Sequence, residues 1–100
     1  MSLRGERTIR TAVRPPYSRG DMRRLLAVLG AINRPQGARL VEIAKATGLD
    51  NKTVTLLIGQ AGTQAGVTIR TDDATYRITD WGLAIRPEGA RLALDGHFGT

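Results

Sequence analysis

The sequence predicts a mainly α-helical chain with a small β-hairpin: a three-helix bundle, then two short strands, then a short last helix. Three observations predict it. Apolar residues recur at helical spacing in three stretches between residues 21 and 61. Residues 67–71 and 75–79 alternate apolar and polar on either side of a short acidic loop. A length of 100 residues suits one domain with a modest core.

Each element follows in order. Residues 1–19 carry little helical period, and Pro15-Pro16 blocks a helix through them. They are expected to form a basic, flexible arm ahead of a domain over 20–95, with 96–100 as a frayed tail. The first helix is predicted from 21 to 32 or 33. Asp21 suits its N-cap, Met22, Leu25, Leu26, Leu29 and Ile32 its buried face, and Pro35 and Gly37 its end. The second helix is predicted from 40 to 47 or 48, with Leu40, Ile43 and Ala44 inward and Glu42 and Lys45 outward. Gly48 can take the left-handed conformation that stops it, and Leu49 plugs the corner. Asp50 is placed to cap the third helix, where Val54, Leu57, Ile58 and Ala61 repeat as one buried stripe. That helix is expected to fray by Gly62. In the hairpin, Val67, Ile69, Tyr76 and Ile78 should face the core, and Thr68, Arg70, Thr75 and Arg77 should face out. Asp72-Asp73-Ala74 reads as the turn. Residues 80–85 read as a turn with a short helix or strand. Pro87 and Glu88 suit the start of a last helix over 87–94.

Charge is unevenly placed. The formal net charge is +6. Residues 1–24 hold seven arginines against Glu6 and Asp21, whereas the other residues hold eight bases and seven acids. A nearly neutral globule with a basic arm is expected to meet a polyanion. The chain has no Cys, which excludes disulfides and thiolate metal sites. Its longest apolar run, 25–32, is too short to span a membrane. No signal-peptide core follows the first charges, and a cytoplasmic location is expected. Enzyme chemistry is not expected. The single His97 lies in the tail, the acids are scattered, and neither phosphate-loop spacing nor a metal-ligand cluster occurs. No cofactor or metal is expected.

Residues 40–57, reading LVEIAKATGLDNKTVTLL, have the layout of a helix-turn-helix. Leu40-Val41-Glu42-Ile43-Ala44-Lys45-Ala46-Thr47-Gly48-Leu49 is similar to the second helix of IclR-type regulators, L-x-E-I-A-x-x-T-G-L. Lys52-Thr53-Val54 resembles the opening of their recognition helix. Tyr76-Arg77-Ile78-Thr79-Asp80-Trp81-Gly82 is similar to a Y-x-L-T-x-x-G stretch after the wing of many MarR-like proteins. Over roughly 21–85 the chain thus resembles the winged helix-turn-helix domains of bacterial transcriptional regulators. The resemblance implies a winged helix that places its third helix, about 51–61, in a DNA major groove. It departs from the IclR type at Leu56, where a basic residue is usual, and at the acidic wing tip Asp72-Asp73. No small-molecule effector domain is expected.

On that reading the base-reading residues are Asn51, Lys52 and Thr55, with Gln60 near the helix end. Asn and Gln pair with adenine, Lys with guanine, and Thr touches a thymine methyl. Arg70 and Arg77 on the hairpin and Arg39 before the second helix are candidates for phosphate or minor-groove contacts. The arm arginines Arg10, Arg14 and Arg19 are candidates for the backbone or minor groove. Double-stranded DNA is the expected partner. A homodimer is expected too, with Trp81, Leu83, Ile85, Leu92 and Leu94 as its surface. The alternative is a winged helix used for protein interaction or assembly, favoured by Leu56 and the acidic tip. A third reading is a nonspecific nucleic-acid binder working through the arm.

Overall fold

The computed structural model describes residues 17–96, and within them four helices pack with a three-stranded antiparallel sheet. The described chain is mainly helical. Asp21 opens α1 (Met22–Ile32) by accepting the Arg23 backbone N–H at 2.9 Å. Leu25, Leu26, Val28, Leu29 and Ile32 are buried, and so are Ala27 and Ala31. This helix is therefore enclosed on most sides and forms the centre of the core. Met22, expected on the buried face, is 69% exposed. It stands in the first turn, ahead of the stretch that the neighbouring elements enclose.

The helix-turn-helix forms as its residues dictate. α2 (Leu40–Thr47) stops at Gly48, whose φ of 75° is left-handed and favours glycine. Thr47 is fully buried yet satisfied: its hydroxyl donates to the Ile43 carbonyl at 2.8 Å. Leu49 fills the corner, 8% exposed. The Asp50 carboxylate then accepts the Thr53 N–H at 2.7 Å and opens α3 (Asn51–Ala65). This helix runs past Gly62, where fraying was expected. Glycine in a helix costs only about 1 kcal/mol relative to alanine. Burial of Ala61 and a bond from the Val67 N–H to the Ala61 carbonyl at 3.1 Å hold the last turns.

The sheet is larger than a hairpin. Its strands are β1 (Ala38–Arg39), β2 (Thr68–Asp72) and β3 (Thr75–Asp80), in the order β1-β3-β2. β1 was not foreseen, because two residues carry no period. It exists because β3 offers its second edge, pairing Ala38 with Tyr76 and Arg39 with Thr75. Ile69, Tyr76 and Ile78 pack against the core, and Val67 is buried just ahead of β2. Thr68, Arg70 and Arg77 are exposed as expected, whereas Thr75 is half-buried beside Gly37. Asp72 pairs with Thr75 inside the ladder, so the turn is only Asp73-Ala74. Both have positive φ, 52° and 63°, as a two-residue hairpin turn of the I′ type requires. A left-handed non-glycine residue costs roughly 1–2 kcal/mol. Ala74→Gly is therefore expected to raise stability by about 0.5–1 kcal/mol, read as a higher urea midpoint at unchanged slope.

α4 (Pro87–Asp95) lies along α1. Small residues set the approach: a Cβ at Gly30 would sit 2.6 Å from the Ala90 carbonyl oxygen, and Ala27, Ala90 and Ala93 are buried. Tyr17 belongs to this junction rather than to an arm. It is 3% exposed, its hydroxyl donates to the Ala93 carbonyl, and the Arg23 guanidinium lies 4.7 Å over its ring. Gly96, expected to begin the frayed tail, is buried and closes α4; residues 97–100 lie outside the described ones. Trp81, Ile85 and Leu94 pack on their own core, while Leu83 and Leu92 are exposed. The apolar surface expected for a dimer is thus divided between the core and solvent.

Candidate nucleic-acid interface

The first two turns of α3 present Asn51, Lys52 and Thr55 to solvent. Val54 and Leu57 point the other way into the core, which fixes the rotation of the helix. The Thr55 hydroxyl donates to the Asn51 carbonyl at 2.9 Å. Its proton is thereby used, and its methyl and lone pairs remain for a partner. The backbone N–H of Thr53, and after it the Thr53 hydroxyl, hold the Asp50 carboxyl below its ordinary range. The cap is therefore a carboxylate. It stabilises the helix start, and its charge offsets the pull of that start on a phosphate. Any attraction for an anion here has to come from cations placed nearby.

Arg19 and Arg24 are two such cations. They line one cleft with Lys52, Thr53, Thr55 and Leu56. Arg24 is held in place by its Nε, which donates to the Tyr17 carbonyl at 2.9 Å. Its neighbour Arg23 is neutralised by Asp21 at 2.6 Å. The Arg23 guanidinium, and after it the Arg23 N–H, pull the Asp21 carboxyl down to about 2. Arg24 was not among the candidate residues that the sequence suggested. A signal for it existed: two arginines in the first turn of a helix oppose the helix dipole, and only Arg23 has a carboxylate two residues away in sequence.

The other expected residues are placed differently. Gln60 is half-buried and lines a neighbouring groove of about 540 Å³ with Met22, Leu25, Gln64 and Ile85. It does not line the cleft of Lys52 and Thr55. Leu56, 61% exposed, borders both the groove and the cleft. Arg39, Arg70 and Arg77 are all exposed but lie outside the cleft, on the sheet. Arg70 stands directly opposite Arg77, Thr68 opposite Asp80, and Thr75 opposite Asp72. The two-residue turn sets the Arg70–Arg77 and Thr75–Asp72 pairs, and a register shift between Thr68 and Ile69 brings Thr68 opposite Asp80. Arg77 Nη1 donates to the Pro35 carbonyl at 3.1 Å, and the Arg39 backbone N–H donates to Glu42 Oε1 at 2.8 Å. Arg10 and Arg14 lie outside the described residues.

Among the described residues there is no group of three or more His, Cys, Asp or Glu that could hold a metal, and no helix long and apolar enough to cross a membrane. No protein-family model matches the chain, and no curated protein or solved structure is found similar to it.

Proposed function

We propose that this chain is a sequence-specific DNA-binding module of the winged-helix kind, serving as a small transcriptional regulator and acting as a homodimer. One observation carries the reading: the exposed polar start of α3 shares a cleft with two arginines, Arg19 just ahead of α1 and Arg24 in its first turn. Asn51, Lys52 and Thr55 supply donors, acceptors and a methyl group for base edges in the major groove. Arg19 and Arg24 supply phosphate contacts beside them. The order α1-β1-α2-α3-β2-β3 and the sheet order β1-β3-β2 support the winged-helix assignment. A dimer follows from the small number of base pairs one such helix reads, and Leu83 and Leu92 are apolar side chains left for its surface.

The exposure of Leu56 favours a second reading, a winged helix that docks on another protein. An apolar side chain beside Thr55 contributes nothing to a phosphate contact and fits an apolar partner. Selection of bound sequences from a random duplex pool separates the two. A recurring short motif supports DNA reading. Absence of any duplex binding at low salt overturns it and leaves the protein-docking reading.

A further inference from the structure

Both arginines of the cleft belong to one closed stretch of chain, residues 17–24, and Tyr17 is its fixed end. The Tyr17 side chain is buried with Leu26 and Ala27 of α1 and Ala93 of α4, and Ile85 and Leu94 pack beside it. Its hydroxyl donates to the Ala93 carbonyl, across 76 positions of sequence. Burial raises its pKa, so the hydroxyl stays a donor. From this anchor the chain turns at once. The Asp21 N–H donates to the Ser18 carbonyl at 3.0 Å, with Arg19 and Gly20 at the corners. Gly20, at φ 84°, supplies the left-handed corner that such a turn takes from glycine. Asp21 caps α1, and the stretch then closes on itself, because Arg24 Nε donates to the Tyr17 carbonyl at 2.9 Å. The Arg23 guanidinium lies 4.7 Å over the Tyr17 ring and is held in turn by Asp21.

This closure bears on the cleft. The bond to Tyr17 uses Arg24 Nε and leaves its Nη groups for an anion. Arg24 also reaches the start of α3: the Asp50 carboxyl, lowered first by its bonds from Thr53, is lowered further by the charges of Arg24 and Lys52. Long cationic side chains lose rotamer freedom on binding, and affinity rises when that loss is taken beforehand. We propose that Tyr17 is a positioning residue for phosphate binding: seated between α1 and α4, it holds residues 18–24 in the shape that sets Arg19 and Arg24 beside the start of α3. The proposal rests on the DNA-binding reading and adds a control to it. Tyr17 is 3% exposed and meets no phosphate itself; it acts through the two arginines. None of the described residues of α4 lines the cleft, yet α4 carries the carbonyl that Tyr17 grips. The hold on a duplex therefore depends on α4 staying against α1.

The test uses the full chain with Tyr17→Ala and with Tyr17→Phe, each also in an Arg19→Gln/Arg24→Gln background. Affinity for a random-sequence duplex is measured at low salt, and hydrogen exchange of the Arg24 Nε–H by NMR. Circular dichroism checks that each variant is folded at the temperature used; if Tyr17→Ala is not, Tyr17→Leu takes its place. Each long side chain ordered in advance contributes roughly threefold to tenfold in affinity, so loosening two should weaken binding by about tenfold or more. Tyr17→Phe keeps the ring in its notch and should recover most of that loss. Without the two arginines, Tyr17→Ala should change affinity by less than about twofold, as for a residue that acts through them. Exchange of the Arg24 Nε–H should quicken in Tyr17→Ala and not in Tyr17→Phe. An equal loss in both backgrounds, or no loss in either, overturns the positioning role, while duplex binding by the parent chain upholds the wider reading. If the parent binds no duplex at low salt, both fall, whatever the exchange shows.

Discussion

Replacing Asn51, Lys52 and Thr55 together by alanine is expected to erase sequence preference and to leave a salt-sensitive attraction for any duplex. All three side chains are exposed. Alanine keeps the helix, and the Asp50 cap on Thr53 is untouched. The variant therefore folds with stability close to the parent's, since exposed positions of this kind shift it by about 0.5 kcal/mol or less. What it loses is discrimination. A good base contact is worth roughly 1–3 kcal/mol against the wrong base. Removing all three side chains at once should cut the ratio of preferred to scrambled affinity by about two orders of magnitude or more. Arg19 and Arg24 remain, so nonspecific binding persists. Loss of Lys52 lowers the salt slope by about 0.9 if that side chain also meets a phosphate. Competition titration with the two duplexes reads both quantities. A preference that survives all three substitutions removes α3 as the reading element.

Gly37→Ala is expected to be among the most damaging single substitutions to stability. Two independent causes act at this residue. Its φ of +75° lies in the left-handed region, which costs an alanine roughly 1–2 kcal/mol. A Cβ there would lie 2.6 Å from the Tyr76 carbonyl oxygen, 2.8 Å from Thr75 Cγ2 and 2.9 Å from Arg77 Cγ. The first of these is backbone of the central strand and cannot step aside, so overpacking adds roughly 1–3 kcal/mol. The sum, about 3 kcal/mol, corresponds to a melting temperature lower by about 15 °C for a domain of this size. The damage should centre on the pairing of β1 with β3. Thermal unfolding followed by circular dichroism measures the first effect, and hydrogen exchange at Ala38 and Thr75 the second. A melting temperature within a few degrees of the parent's would contradict both causes.

Much of the fold was legible because the informative signals are local. Asp21, Gly48 and Asp50 announce helix ends through chemistry within three residues of themselves, and the structure uses each as expected. The stripe of Val54, Leu57 and Ala61 is likewise a property of one helix. The misses are non-local. β1 exists only because β3 is beside it, and two residues in sequence say nothing of that. Tyr17 sits in a polar, arginine-rich segment yet is buried by α4, seventy-odd residues later. The length of α3 depended on whether Ala61 found a buried place, which outweighs the weakness of Gly59 and Gly62. At the site, the exposed trio on α3 could be read from the helical period. The nearness of Arg24 to Lys52 could not, because it depends on how α1 crosses α3. The opposition of Arg70 and Arg77 hung on the turn being the two residues Asp73-Ala74 with Asp72 inside the ladder, which alternation alone does not reveal.

β2 has a single neighbour among the described strands, so one of its long sides carries backbone donors and acceptors with no ladder to join. Such a side is a template on which a strand from another molecule can grow, and repeated growth makes fibrils. This strand is five residues long and carries Arg70 and Asp72. A second copy laid against it in register would bring guanidinium against guanidinium or force the two charges out of step. The Arg70 that faces Arg77 inside the hairpin thus also works, on this free edge, against in-register growth of strand upon strand.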